Sequence, residues 1–547
     1  MSVLSLGEKT RHRLLFTLTI VSGSIIALSE LQSFQTLINP TSLVLTLTPL
    51  MWFGFALLSI AFVTTAMSSK TQTSLMAVQV GLLFAGLYLF PVLTSGSPAA
   101  YHSYDFLSQS IEITRTGHVQ PQYFPFEYWT GSWTTYASFI ILTNIVDRTT
   151  LVNLFTVLWQ ALFALMGFVI FRRLSESMRI ALLGAWVFLL GDWLLQAYVS
   201  DQSLGYFLLL ALVVLVVDLQ KDESDRGTRI GVLVLCEALV ISHVLSSLVA
   251  LVWMIMVAYW RPAFRRAAIV LTMSYAAWVA IYAFLRTKFI LTTQLYSLYG
   301  NLVQFITGGL INKFSPSETS VGHHMAIQLE FLDVCMFLGV GITSYILYWK
   351  RDKDSGRLGL RLMLALIFAS VLVLFAVNGL GGLELFQRTF FFSLIPISFF
   401  MGLLLKTSSR WLYAFLVLFF VVAAPINLIA QYNTLPVNSL SRSELYAIEF
   451  FDAKTNGGIV YGSIGLGLGN GGLFNSVQPG SYSVYQIPWG NSTLPSNSYL
   501  AVMKIDTDAY LYADGGNTSQ VDSLRVQLDQ TSQIVYSNPD ATVYITP

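Results

Sequence analysis

From about residue 14 to residue 430, long apolar runs alternate with short polar breaks, most of them basic. A run of about 20 apolar residues is long enough to cross a bilayer as a helix. The pattern predicts spans at roughly 14–34, 43–66, 74–93, 150–171, 180–198, 203–219, 230–242, 244–260, 267–285, 325–349, 358–378, 389–405 and 411–430. Residues 133–147 are apolar but rich in Trp and Tyr, and are expected as a helix lying at the membrane interface. The run 230–260 has arginines at both ends, so it reads as a hairpin that enters and leaves on one side, with His243 at its tip. From about 431 the pattern changes to Asn, Ser, Gly, Tyr and Asp, with strand-like runs GIVYG, YLAVMKI and ATVYI and a helix expected near 441–454.

Composition agrees with that reading. Hydrophobic residues make up 55% of the 547 and charged residues 11%, against about 25% charged in ordinary soluble proteins. The expected fold is a polytopic α-helical membrane protein, residues 1–430 with an outer loop at 94–149, followed by an extracytoplasmic α/β domain at 431–547. A net charge of +1 points to no particular partner, and no nucleic acid is expected. Cys236 and Cys335 both sit in apolar runs, so neither a disulfide framework nor a thiolate metal site is expected. Lys9, Arg11 and Arg13 precede a first apolar run with no small-residue cleavage site after it, so a retained span is expected rather than a signal peptide.

Charge also sets direction. With the N-terminus in the cytoplasm, 20 of the 30 Lys and Arg fall in cytoplasmic segments, six in outer loops and four in the tail, as the positive-inside rule requires. The tail then lies outside. Two glycosylation acceptor patterns, at Asn491 and Asn517, suit that location. The Gly465–Gly472 run GLGLGNGG lacks the Lys-Ser/Thr ending of a phosphate loop and reads as a flexible loop.

The most polar and aromatic stretch of the first 280 residues is Tyr101–Trp133. As a helix from about Ser103 to Thr116, stopped by Gly117, it puts His102, Asp105, Gln109 and Glu112 on one face and Tyr104, Leu107 and Ile111 on the other. Other ionisable residues expected on or near the outer side are Asp192, Asp201, His243, His323, His324, Glu330, Asp333, Glu384 and Arg388. Each has a structural alternative. Asp201, opening DQSLGYFLLL, suits an N-cap; His243 suits a turn; Glu384 and Arg388, one helical turn apart, suit an ion pair. His323 and His324 read as loop histidines. As a site, a carboxylate here is a general base and Arg388 a planar phosphate binder. No clear ligand set for a divalent metal is present, and the need for one stays open.

These features in order, HSYDFLSQSIEITRTGHV, DQSLGYFLLL, ISHVLSSLVAL, GGLELFQRTFFFSLIP and the tail ending IVYSNPDATVYITP, resemble the GT-C superfamily of membrane glycosyltransferases. The likeness is to archaeal members related to oligosaccharyltransferase catalytic subunits and protein mannosyltransferases. It implies transfer of a sugar from a polyprenyl-phosphate-linked donor, on the outer face, with inversion. The acid of the first loop is then the base, which falls on Asp105. His102, Glu112, Asp201, His243, Glu384 and Arg388 are the accompanying substrate-binding candidates. Members commonly carry paired acids in that loop, whereas this chain has Tyr104-Asp105. The tail has no WWDYG-like signature, which argues against transfer of a whole glycan to asparagine. Rival readings are a non-catalytic protein binding a lipid-linked glycan, and a transporter or flippase.

Overall fold

The computed structural model describes residues 8–35, 48–68, 72–95, 102–119, 129–145, 147–192, 198–221, 225–284, 321–351, 357–377, 383–404 and 410–432. In the tail it describes scattered positions from 441 to 450, then 459–462, 483–486, 498–504, 507 and 519–547. The helices are α1 Glu8–Gln35, α2 Pro49–Ala66, α3 Thr73–Phe84, α4 Phe90–Ser95, α5 His102–Thr116, α6 Gly131–Thr143, α7 Arg148–Ser175 and α8 Met178–Gly191. They continue with α9 Asp201–Lys221, α10 Arg226–Ser242, α11 Val244–Trp260, α12 Arg265–Ile281, α13 Val321–Arg351, α14 Arg357–Val377, α15 Leu383–Leu403 and α16 Arg410–Tyr432. A π-helical turn, Ala85–Leu89, joins α3 to α4.

Among the described residues, eight helices are long and apolar enough to cross a membrane, and three shorter apolar ones accompany them. The protein is integral to a membrane. Each expected span coincides with helix, with two differences of extent. In the run expected as a span at 180–198, helix α8 ends at Gly191 with Asp192 as its C-cap, and 193–197 lie outside the described residues. Helix α13 starts at Val321, so His323 and His324 lie in its first turn rather than in a loop; their side chains lie outside the described residues.

Helix α8 is buried at every position from Ile180 to Gly191, which is why its sequence is apolar all round and shows no polar face. It packs against α3, α7 and α15, and α9 packs against α7 and α10. Trp186 of α8 stacks on Phe62 of α2 with ring centroids 3.9 Å apart. Polar side chains close the helix starts: Asp147 accepts the Thr150 N–H, Ser177 the Ile180 N–H and Asp225 the Gly227 N–H.

The tail carries a five-stranded sheet, β1 Ile459–Gly462, β2 Ser483–Gln486, β3 Tyr499–Met503, β4 Gln533–Asn538 and β5 Ala541–Ile545, in the order β2-β1-β3-β5-β4. β1 runs parallel to β2 and β3, while β3, β5 and β4 are antiparallel. Helix α17, Ser519–Thr531, lays Val521 and Leu528 on Leu500, Val502 and Tyr544. The alternate residues Ala501, Met503, Ala541 and Val543 belong to the main core, as a two-residue period requires of a sheet covered on both faces.

Candidate functional site

Helix α5 spans the region expected of it, and Gly117 ends it with φ +75°, a left-handed conformation that costs glycine nothing. Tyr104 and Leu107 are buried, as the apolar face predicts. His102 and Asp105 are positions of this helix, but their side chains lie outside the described residues. Phe106, next in the chain after Asp105, stacks on Trp133 of α6 at 5.0 Å and leans on Tyr198 at 6.0 Å. That aromatic contact ties α5 to the start of α9. Glu112 pairs within its own helix, with Arg115 at 3.8 Å.

At the start of α9 the chain does not use Asp201 as its cap, contrary to the structural alternative above. Ser200 is the cap, since its Oγ accepts the Ser203 N–H at 3.1 Å. Asp201 is the first helical residue, and its Oδ1 accepts the Gln202 N–H at 2.9 Å. The reason is local: Ser200 stands one residue earlier, and a serine caps as well as an aspartate. The Asp201 carboxylate is thereby kept from closing the helix end.

Helix α6 and the α10–α11 turn close on the start of α9. Ser132, in the first turn of α6, donates toward the Asp201 carbonyl at 3.3 Å and the Ser242 carbonyl at 3.2 Å. Tyr136, one turn on, donates to the Ser200 carbonyl at 2.8 Å and accepts from Trp159 Nε1 at 3.0 Å. Burial pushes the Tyr136 phenol up, so it stays protonated. Close approach depends on two glycines. A Cβ on Gly205 of α9 would lie 2.5 Å from His243 Cβ, and one on Gly131 would lie 2.8 Å from Ser242 Oγ. The DQSLG and ISH segments, 38 residues apart from Gly205 to His243, are therefore pressed together.

His243 is 2% exposed and joins α10 to α11. Its Nδ1 accepts the Ser246 N–H at 3.2 Å and faces Ser246 Oγ at 2.9 Å. A ring nitrogen that accepts carries no proton, so the proton sits on Nε2. Burial depresses its pKa well below the usual imidazole range, and the nearby Arg388 charge lowers it further. Arg388 also acts electrostatically on Asp201. Tyr206 of α9 donates to the Phe391 carbonyl of α15 at 3.3 Å, with ring centroids 4.0 Å apart, so the two helices touch within two turns of Asp201 and Arg388, and these residues and His243, distant in sequence, belong to one junction. Glu384 lies one turn before Arg388 on α15, its side chain outside the described residues. Beside Arg388, Gln387 donates from Nε2 to Glu330 at 2.8 Å.

Asp192 belongs to a different polar knot. It accepts from Gln160 at 2.8 Å, and its carbonyl accepts from Tyr88 of the π turn at 3.0 Å. Asn427 of α16 donates to the Leu189 and Leu190 carbonyls beside it. Glu237, within α10, accepts from Ser274 of α12 at 2.6 Å. Among the described residues no three His, Cys, Asp or Glu side chains gather as metal ligands.

Ser132, Tyr136, Phe106, Trp133 and Ser200 escaped the sequence reading because they are uncharged. The available signal was WTGSW, a small Gly-Ser pair between two large aromatics.

No protein-family model matches the chain, and no curated protein does. Similar solved structures include the crystal structures of ArnT from Cupriavidus metallidurans, one bound to undecaprenyl phosphate and one in the apo state. The first aligns with 86% of this chain and 97% of its own, at 11% identity and a TM-score of 0.49. The second aligns with 86% and 98%, at 12% identity and a TM-score of 0.37. At these TM-scores neither likeness assigns this chain a fold or a ligand.

Proposed function

We propose that this chain is a GT-C-type membrane glycosyltransferase that moves a sugar from a polyprenyl-phosphate-linked donor to a lipid or protein acceptor on the outer face of the membrane. The carrying observation is the junction itself: Asp201, His243 and Arg388 meet where α9, the α10–α11 turn and α15 come together, with α5 tied in through Phe106. The charge split along the sequence supports an outward-facing junction.

In this reading the guanidinium of Arg388 holds the donor phosphate, a planar donor group suited to phosphate oxygens. An acceptor hydroxyl attacks the anomeric carbon as the bond from that carbon to the phosphate oxygen breaks. The polyprenyl phosphate leaves with the electron pair, and the hydroxyl proton passes to a carboxylate. Asp105 is assigned that role, with Asp201 next in line. His102 and Glu112 orient the acceptor, and Glu384 orients Arg388. His243, neutral with its proton on Nε2, serves as a hydrogen-bond donor and not as a base.

A general base contributes about 10²–10⁴-fold in rate. Asp105→Asn should slow transfer by about that factor while donor binding holds. Arg388→Lys keeps the charge but loses the two-pronged geometry, so donor affinity should fall with folding unchanged. Full activity in Asp105→Asn would move the base to Asp201. No transfer by the wild-type protein from any of a panel of polyprenyl-phosphate sugars would sink the reading.

A further inference from the structure

Among the described residues, three buried side-chain N–H donors without a hydrogen-bond partner stand within three residues of the Ser132–Asp201 contact: Trp129 Nε1, Trp133 Nε1 and Gln202 Nε2. Their residues are only 2–3% exposed. Trp133 follows Ser132 in the chain, Gln202 follows Asp201, and Ser132 hydrogen-bonds the Asp201 carbonyl. Gln202 comes from α9, Trp133 from the first turn of α6 and Trp129 from the segment just before the α6 N-cap Thr130. Folded proteins rarely leave a buried N–H without an acceptor, and each such group calls for an explanation such as a missing water or ligand. Indole nitrogen is a donor only, so what fills this place must bring acceptor oxygens.

The surroundings suit a sugar. Phe106, Trp133 and Tyr198 give an aromatic wall, and small-molecule sites combine such walls with a few placed polar groups. Arg388 acts on Asp201 from α15, which puts a phosphate binder beside the same junction. A sugar phosphate needs this adjacency, because its ring and its phosphate are joined by one oxygen.

We infer that Trp129, Trp133 and Gln202 form the subsite for the sugar of the lipid-linked donor, binding its hydroxyl, carbonyl or carboxylate oxygens. This rests on the glycosyltransferase reading and extends it. The subsite takes neutral or acidic sugars and discriminates against a sugar whose contacting group is an ammonium, which has only donors to offer. Sugar and phosphate share the acceptor oxygens that such a site recognises, so the test must separate them.

The test uses the full-length protein in lipid nanodiscs, with a polyprenyl phosphate lacking sugar and the same lipid carrying glucose, mannose or a uronic acid. Trp133→Phe keeps the ring that stacks on Phe106 and removes the N–H; Gln202→Met removes the amide at similar length. Each should weaken binding of the sugar-bearing lipids about tenfold, the scale of one lost hydrogen bond, and leave the bare lipid unchanged. Equal weakening for bare and sugar-bearing lipid would assign the N–H groups to the phosphate and overturn the subsite. Unchanged binding of every lipid in both variants would make these donors structural, which also overturns it. A wild-type protein that binds neither lipid removes the glycosyltransferase reading itself, a separate result. If Trp133→Phe fails to fold by thermal unfolding, benzothienylalanine at position 133 preserves the shape without the N–H and decides the question.

Discussion

At the turn between α10 and α11 one histidine ends one helix with its backbone N–H and begins the next with its ring. The His243 N–H donates to the Leu239 carbonyl, and His243 Nδ1 accepts the Ser246 N–H. A buried, depressed imidazole has a definite thermodynamic sign. In the unfolded chain it takes up a proton as pH falls through about 6.5, whereas in the fold it stays neutral well below that. Its contribution to stability is therefore complete above that pH and is lost as pH falls below it, at a limiting slope of about 1.4 kcal/mol per pH unit. His243→Asn retains an acceptor suited to an N-cap and does not titrate. Thermal unfolding in detergent between pH 7 and pH 5 should show a flatter dependence for this variant. Parallel curves would mean that the folded imidazole protonates as readily as the unfolded one.

Ser200 and Asp201 are adjacent residues with separate jobs. Ser200 caps α9, so Ser200→Ala should cost about 1 kcal/mol of stability. Asp201→Asn leaves that cap in place. It should change unfolding less than Ser200→Ala does and change donor binding or turnover more. Equal effects on stability from both would return Asp201 to a capping role.

Among the elements, the approach of α9 to the His243 turn is set by a missing side chain. Gly205→Ala places a methyl 2.5 Å from His243 Cβ and 2.9 Å from Ser246 Oγ, well inside contact distance. Overpacking of this kind costs about 1–3 kcal/mol, and here the shift it forces falls on the junction. Gly205→Ala should therefore lose stability and donor binding together. Gly81 of α3 is the control. A Cβ there meets nothing within 4 Å, and replacing a mid-helix glycine by alanine stabilises by about 0.5–1 kcal/mol. Gly81→Ala should be neutral or slightly stabilising in the same assay.

For the whole molecule, the orientation proposed from the charge split is open to labelling. Arg115, Arg226 and Gln530 are all exposed. Cysteines placed singly at these positions, with Cys236 and Cys335 replaced by Ala, probe three different segments. An impermeant thiol reagent applied to intact cells should modify positions 115 and 530 and leave 226 untouched. Modification at 226 with protection at 115 would invert the topology and close the junction to an outside acceptor.

The helices are legible in the sequence because each is encoded locally. A run such as 411–430 or 203–219 must bury its apolar surface in lipid or protein wherever it lies. The amphipathic face of α5 and its glycine stop follow from the period of the helix, and GIVYG, YLAVMKI and ATVYI carry the alternation of strands. Local pattern went astray where a neighbour's contribution mattered. The run from 180 reads as one uninterrupted span, yet helix α8 ends at Gly191 with Asp192 as its C-cap, which Gln160 of α7 holds. The choice between Ser200 and Asp201 as cap depended on one backbone N–H. The site is a still longer-range matter. Asp201, His243 and Arg388 were readable as ionisable residues near span ends, but not as partners, since no spacing along the chain encodes their meeting. Gly131 and Gly205 let α6, α9 and the α10–α11 turn close on one another, and the Tyr206–Phe391 contact brings α15 to the same place. The uncharged Ser132, Tyr136 and Trp133 became visible only there, because a hydroxyl or indole declares its role through the partner it finds or lacks.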